Sequence, residues 1–207
     1  MTASPLLPPG MATRMAETEA TGAELSRMTE LALSRGARAI AIGRGNSPAA
    51  TRAAAGFARR FQVTGGIIIC AVIWPESAAS WLRQATRFAA ADPDLWVMAG
   101  PATGWAQMTR RLLWSTPWRP QRTIAFAAIG TGQVTGLVGA HNLHGLTGAT
   151  ADGRTWQVSH GILQVTPPFL DDTRRASALS ASIPGNNGPS GSPRSSRCRP
   201  TSVRVTG

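Results

Sequence analysis

Apolar residues recur along this chain with two alternating periods. After Gly22, the residues Leu25, Met28, Leu31 and Ala32 fall at helical spacing, with Glu24, Arg27 and Glu30 turned outward. This pattern predicts an amphipathic helix that ends by residues 34–36. Residues 37–42 read as a short strand, followed by a glycine-bearing turn, Gly43-Arg44-Gly45-Asn46-Ser47-Pro48. Ala50, Ala54, Phe57, Ala58 and Phe61 then line one face of a helix whose other face carries Arg52, Arg59 and Arg60. Residues 67–73 are apolar on both faces, the mark of a strand covered on both sides in a parallel sheet, and Trp74-Pro75 stops them. Ala78, Trp81, Leu82, Ala85, Phe88 and Ala89 form another helix, which Asp92-Pro93 ends. Residues 95–99 are a strand, 100–104 a second glycine turn, and Trp105, Met108 and Leu112 begin the next helix. Strands alternating with helices through most of 22–166 predict an α/β domain with a largely parallel sheet.

The stretch from Thr123 to His141 organises the rest. Its apolar run, 124–129, ends in Gly130-Thr131-Gly132, and Val134, Leu137 and Val138 share one side of a short segment that closes at Gly139. This reads as strand, glycine turn, helix. In an open α/β sheet such a turn lies where a helix start offers unpaired N–H groups to an anion. The turns at 43–48, 100–104 and 129–132 each follow a strand, each holds Gly with Ser or Thr, and together they are placed to surround one small anion. Gly130, Thr131, Gly132, Thr103, Gly104, Asn46 and Ser47, with Thr147 in addition, are the candidate donors to its oxygens. A tight connection with no ligand is the competing reading of the same turn. After His141 the pattern loosens, and 162–165 is the last strand expected.

Composition narrows the picture. Of 207 residues, 43% are hydrophobic, enough for a packed core. Residues 1–21 read as a loose lead-in, 22–170 as the α/β domain, and 171–207 as an unstructured tail rich in Arg, Pro, Gly and Ser. The net charge of +11 is carried without a single Lys. Six Arg and no acid lie in residues 173–207, which therefore carry more than half of the excess. That tail has no interleaved aromatics and no recognisable module, and a nucleic-acid partner is not expected. The N-terminus lacks the basic and apolar segments of a secretory signal. Cys70, in an apolar strand, reads as core, and with Cys198 it makes neither a disulfide framework nor a zinc site.

Other chemistry finds little support. Gly130-Thr131-Gly132 lacks the third glycine of a dinucleotide fingerprint, which falls on Thr135. His141 and His144, with His160 as a third ligand, have metal-like spacing but no nearby carboxylate or thiol, and no metal or cofactor is expected. Ser47, Ser115 and Ser159 lack a nucleophile elbow, and no enzymatic constellation emerges. Trp81 and Trp105 fall on apolar helix faces and read as core, whereas Trp114, Trp118 and Trp156 stay open. A nucleotide-binding α/β enzyme and a nucleic-acid-binding protein acting through its tail are the alternatives carried forward.

Several passages occur in a telling order. Residues 67–73 lead through Ser80-Trp81-Leu82 to Ala91-Asp92-Pro93-Asp94-Leu95, and residues 97–113 supply a strand, a Gly/Thr loop and a helix. Gly130-Thr131-Gly132-Gln133-Val134-Thr135-Gly136-Leu137-Val138-Gly139-Ala140-His141 follows, and Gly161-Ile162-Leu163-Gln164-Val165 closes the series. In order and spacing this half of the chain resembles the substrate-binding receptors of tripartite tricarboxylate transporters, the Bug-type periplasmic solute receptors. Ala127 and Ile129 stand where that family has an aromatic residue and a glycine, and Leu143 where it commonly has an acid. The resemblance implies a periplasmic-binding-protein type II-like fold, with a mostly parallel sheet, helices on both faces and an incomplete second lobe. It further implies capture of a small carboxylate, delivery to membrane transporter subunits, a periplasmic location, and no catalytic activity.

Overall fold

The computed structural model describes residues 19–166. The expectations for the lead-in before Glu19, for the tail and for Cys198 lie outside the described residues. In chain order the elements are α1 (Gly22–Ser34), β1 (Ala39–Gly45), α2 (Pro48–Val63), β2 (Ile67–Trp74), α3 (Leu82–Ala90) and β3 (Leu95–Ala99). They continue with α4 (Ala102–Ser115), β4 (Thr123–Ala125), α5 (Gly132–Gly136), β5 (Thr147–Ala149), β6 (Thr155–Ser159) and β7 (Ile162–Val165). The seven strands form one sheet in the order β2-β1-β3-β4-β5-β6-β7. Pairings from β2 through β5 are parallel, and the β5-β6-β7 meander is antiparallel. The order 2-1-3-4-5 of the parallel part is that of a doubly wound sheet, with the chain switching direction between β1 and β3.

Strand alternation assigns side chains to two cores. Ile40, Ile42, Leu95, Val97 and Ile124 face α1 and α2, where they meet Met28, Ala32, Phe57 and Phe61. Ala41, Trp96, Met98 and Ala125 face α3 and α4, where they meet Phe88, Trp105, Met108 and Leu112. Helices therefore cover both faces of a mostly parallel sheet, as expected. Asp94 fixes the register at the amino end. Its carboxylate accepts the N–H groups of Arg38 and Ala39 at 2.9 and 2.8 Å, which binds the start of β1 to the approach of β3.

Several expectations need correction. Among the described residues β2 is the edge strand, and only one of its faces is covered, since Ile67, Ile69 and Ile73 are 44–56% exposed. An apolar run records composition on both sides of a strand, not the presence of a neighbour. Second, β1 runs through Gly45, so the turn before α2 is Asn46-Ser47 alone. Third, β4 ends at Ala125. The rest of its apolar run folds into a turn, with Ile129 N–H donating to the Phe126 carbonyl, and Ile129 is buried without being in a strand. Fourth, β5 and β6 occupy the stretch that looked patternless. Last, Glu24 is not outward but 3% exposed, and the Arg27 guanidinium folds inward to donate to the Gly153 carbonyl at 2.9 Å.

Cys70 is partly buried against the core, and Trp105 is buried on α4 as predicted. Trp81 is buried too, but it precedes α3, which starts only at Leu82, so Ala78 lies outside the helix and Leu82 is 45% exposed instead of on its apolar face. Trp118 and Trp156 also prove to be core, and Trp114 is exposed.

Candidate functional site

Three strand-to-helix connections meet at the carboxyl ends of β1, β3 and β4. Between them opens a cavity of about 570 Å³, placed beside the β1/β3 switch point. Ala49, Ala50 and Ala53 of α2 form one wall. Ala99-Gly100-Pro101-Ala102 at the start of α4 form the second, and Phe126, Ala127, Ala128, Thr131 and Gln133 the third. Glu19, Ala20 and Glu24 close it from the side of α1, together with Ala151. The surface is thus mostly methyl groups and one aromatic ring, with polar groups at Thr131, Gln133 and the two acids.

Local sequence explains how each wall is held. Ser47 caps α2, its hydroxyl accepting from Ala50 N–H at 3.1 Å, and Pro48 occupies the first helical position. Thr131 caps α5 in the same way, accepting from Val134 N–H at 3.1 Å, which leaves its own hydroxyl hydrogen to donate. α4 has no side-chain cap from its own Pro101. Instead Glu76, just beyond β2, places its carboxylate at the helix start and accepts from Gly104 N–H at 2.9 Å. A carboxylate there meets both an unpaired donor and the positive end of the helix dipole. Gly45, Gly100 and Gly104 make room for this arrangement. A Cβ on Gly100 would stand 2.9 Å from Gly45 N, and a Cβ on Gly104 would collide with the Glu76 carboxylate.

Glu24 is the titratable group built into the cavity wall. Its carboxylate accepts from Ala127 N–H at 2.6 Å and also from Thr21 N–H, while Thr21 Oγ1 accepts from Glu24 N–H at 3.0 Å. Thr21 and Glu24 therefore form a reciprocal capping box, stretched to hold the turn after β4. Burial pushes the Glu24 carboxyl above the ordinary Glu range, and the two backbone N–H groups partly oppose that push. Glu19, at the cavity rim, pairs with Arg52 at 2.6 Å.

The predicted donors divide. The structure brings the three connections together as expected, but among the predicted residues only Thr131 lines the cavity. Gly104 N–H is donated to Glu76, so it is not offered to a ligand. The Ser47 oxygen serves as the α2 cap, and Asn46 is exposed beside it. Thr103 lies on the first turn of α4, behind the cavity-lining Ala102. A Cβ on Gly130 would collide with the Trp156 indole, which makes this glycine a packing requirement. Gly132 opens α5 with open space around it. Thr147 is buried within β5 and donates to the Gly145 carbonyl at 3.1 Å. Glu24 and Phe126 were not foreseen. The capping-box spacing Thr21-Gly22-Ala23-Glu24 carried the signal for the first.

The histidines draw together at the other end of the chain segment. His144 and His160 stand edge to face, 5.7 Å between ring centroids, and His160 Nδ1 is 2.9 Å from Ser159 Oγ. Among the described residues no group of three or more His, Cys, Asp or Glu side chains is placed to hold a metal ion.

With this geometry the chain compares with solved structures. It shares its fold with periplasmic ligand-binding proteins. A substrate-binding periplasmic protein from Ralstonia solanacearum superposes with a TM-score of 0.56 at 16% identity, over 83% of this chain and 48% of its own. A branched chain amino acid ABC transporter periplasmic ligand-binding protein from Burkholderia xenovorans gives 0.51 at 14%, over 62% and 34%. A solute binding protein of an ABC transporter from Rhodopseudomonas palustris, in complex with p-hydroxybenzoic acid, gives 0.51 at 15%, over 61% and 34%. The chain thus spans between a third and a half of the length of these proteins. It matches no protein-family model and no curated protein.

Proposed function

We propose that the chain is one ligand-binding lobe of a solute receptor, which captures a small carboxylate and presents it to a membrane transporter. The observation that carries this reading is the cavity shared by the starts of α2 and α4 and the Thr131 turn, at the β1/β3 switch point. The start of α2 presents its remaining N–H groups and partial positive charge to an anion, while the start of α4 is already met by the Glu76 carboxylate. The alanine and Phe126 surface suits an apolar body attached to that carboxylate, such as an aromatic ring or a branched chain. The hydroxyl of Thr131 and the carboxylate of Glu24 in the lining already accept from Val134 N–H and Ala127 N–H, which favours binding over chemistry.

The sequence resemblance implies a tripartite tricarboxylate transporter as the partner, whereas the solved structures of similar fold are named for ABC transporters. We adopt the ABC type, because the agreement in fold extends over most of the described elements, while the motifs of the resemblance are short. A periplasmic site of action goes with this reading.

A thermal-shift and calorimetric titration of the full chain tests it, with 4-hydroxybenzoate, leucine, citrate, NAD and ATP as probes. A ligand at about 100 times its Kd stabilises the native state by about 2.7 kcal/mol, a shift of several degrees for a domain of this size. The expected result is stabilisation by a monocarboxylate and an affinity roughly fivefold to tenfold lower for Thr131→Val, the loss of one hydrogen bond. Stabilisation by NAD or ATP alone would overturn the reading in favour of a nucleotide site.

A further inference from the structure

The α3/α4 side of the molecule is chemically unlike the rest. The two helices pack against each other and bury Ala85, Phe88, Trp105, Met108 and Leu112 in one core. Their outward positions are Leu82, Arg83 and Arg87 on α3, and Arg111 and Trp114 on α4, with Arg119 just beyond. Trp114 is 77% exposed, while the six other Trp residues are all 9% exposed or less. Residues 77–91 and 95–151 hold six Arg and no Asp or Glu. Among the described residues Arg83, Arg87, Arg111 and Arg119 form no ion pair. On the α1/α2 side Glu30 pairs with Arg27 and Glu19 with Arg52, so acids are interspersed with Arg59 and Arg60, which themselves form no ion pair among the described residues.

We propose that this face docks on an anionic phospholipid surface, with Trp114 seated at headgroup level and Arg83, Arg87, Arg111 and Arg119 against lipid phosphates. Charge complementarity argues for an anionic partner, because among the described residues these arginines meet no carboxylate. Trp114 argues for a membrane rather than an acidic protein. An exposed indole has an apolar body for the acyl boundary and an N–H for the wet headgroup layer. The Arg stems and exposed Leu82 extend that apolar contact while the guanidinium groups remain among the phosphates. The inference is independent of the ligand cavity, whose lining includes no residue of α3.

The test is co-sedimentation of the full chain with vesicles of phosphatidylcholine alone, or with about 30% phosphatidylglycerol, at low salt and at roughly 0.5 M salt. Binding is expected only to the anionic vesicles, weakened by salt, with a blue shift of tryptophan emission. Trp114→Ser should abolish the blue shift and lower the partition coefficient about tenfold. Arg83→Gln/Arg87→Gln/Arg111→Gln should lower it by roughly fivefold for each arginine removed. Melting curves of the variants establish that these exposed substitutions leave the fold intact. Equal binding by wild type and both variants would assign the attraction to residues 173–207 and overturn the proposal. Equal binding to neutral vesicles would overturn it too. Retention on polyglutamate without any vesicle binding would replace it with an acidic protein partner.

Discussion

Glu24 places a carboxyl group in the cavity wall, where burial raises its proton affinity above the ordinary value. A raised folded-state pKa means that its contribution to stability is complete below the unfolded value of 4.5 and is lost as pH rises through the folded one. Wild type should therefore gain stability relative to Glu24→Gln between about pH 7 and pH 4, measured by urea unfolding at each pH. An unchanged difference across that range would remove Glu24 as the source. Gly130 offers a second single-residue test. Trp156 is fully buried and donates to the Ala149 carbonyl at 3.0 Å. Gly130→Ala should push that ring aside and cost about 2 kcal/mol of unfolding free energy. At this scale the chain was only partly legible. Thr131 could be picked out because a Gly-Thr-Gly turn after an apolar run is a local signal, though its role as the α5 cap was not, whereas the roles of Gly104 and Gly130 depend on Glu76 and Trp156, residues 26 to 28 positions away.

Elements were easier to read than residues wherever apolar spacing decided them. β3 agrees with its predicted bounds, and α1, α2 and α4 rest on the faces that their periodicity picked out. β5 escaped because Thr147, Gly148 and Ala149 are too few to show a period of two, whereas β6 does alternate, Trp156 and Val158 lying buried between Thr155, Gln157 and Ser159, over a stretch too short to stand out from the loop before it. Burial of such strands is imposed by their neighbours. The same distance between local pattern and neighbour explains β2, whose Ile67, Ile69 and Ile73 face outward. α4 supplies a prediction at this scale, since its start relies on the carboxylate of another element. Glu76→Ala should cost about 1 kcal/mol through the lost cap, and hydrogen exchange should increase at the amides of the first turn of α4 while the amides of α2 stay protected. Uniform change in both helices would argue against a capping role.

At the level of the whole molecule, the two cores are the two sides of one sheet, and neither can melt without exposing the other's strands. Phe57 and Leu112 lie on opposite sides, and both are fully buried. Phe57→Ala and Leu112→Ala should each cost about 3 to 5 kcal/mol. In urea they should shift one transition, with far-UV dichroism and tryptophan emission moving together. Separated transitions would mean that the faces are independent units.

The contrast between the cavity's frame and its surface has an evolutionary consequence. Gly45 and Gly104 lie against the Glu76 carboxylate and Gly100 against Gly45, so closely that an added methyl group at any of the three collides with a neighbour, and those positions resist variation. The alanines at 49, 50, 53, 102, 127 and 151 border open volume, so each can grow into Val, Thr or Ser by one nucleotide change and subtract a few cubic ångströms from the space available to a guest. A lineage descending from this chain would therefore diversify its preferences by infilling, one alanine at a time, while the geometry of the crevice itself was inherited unaltered.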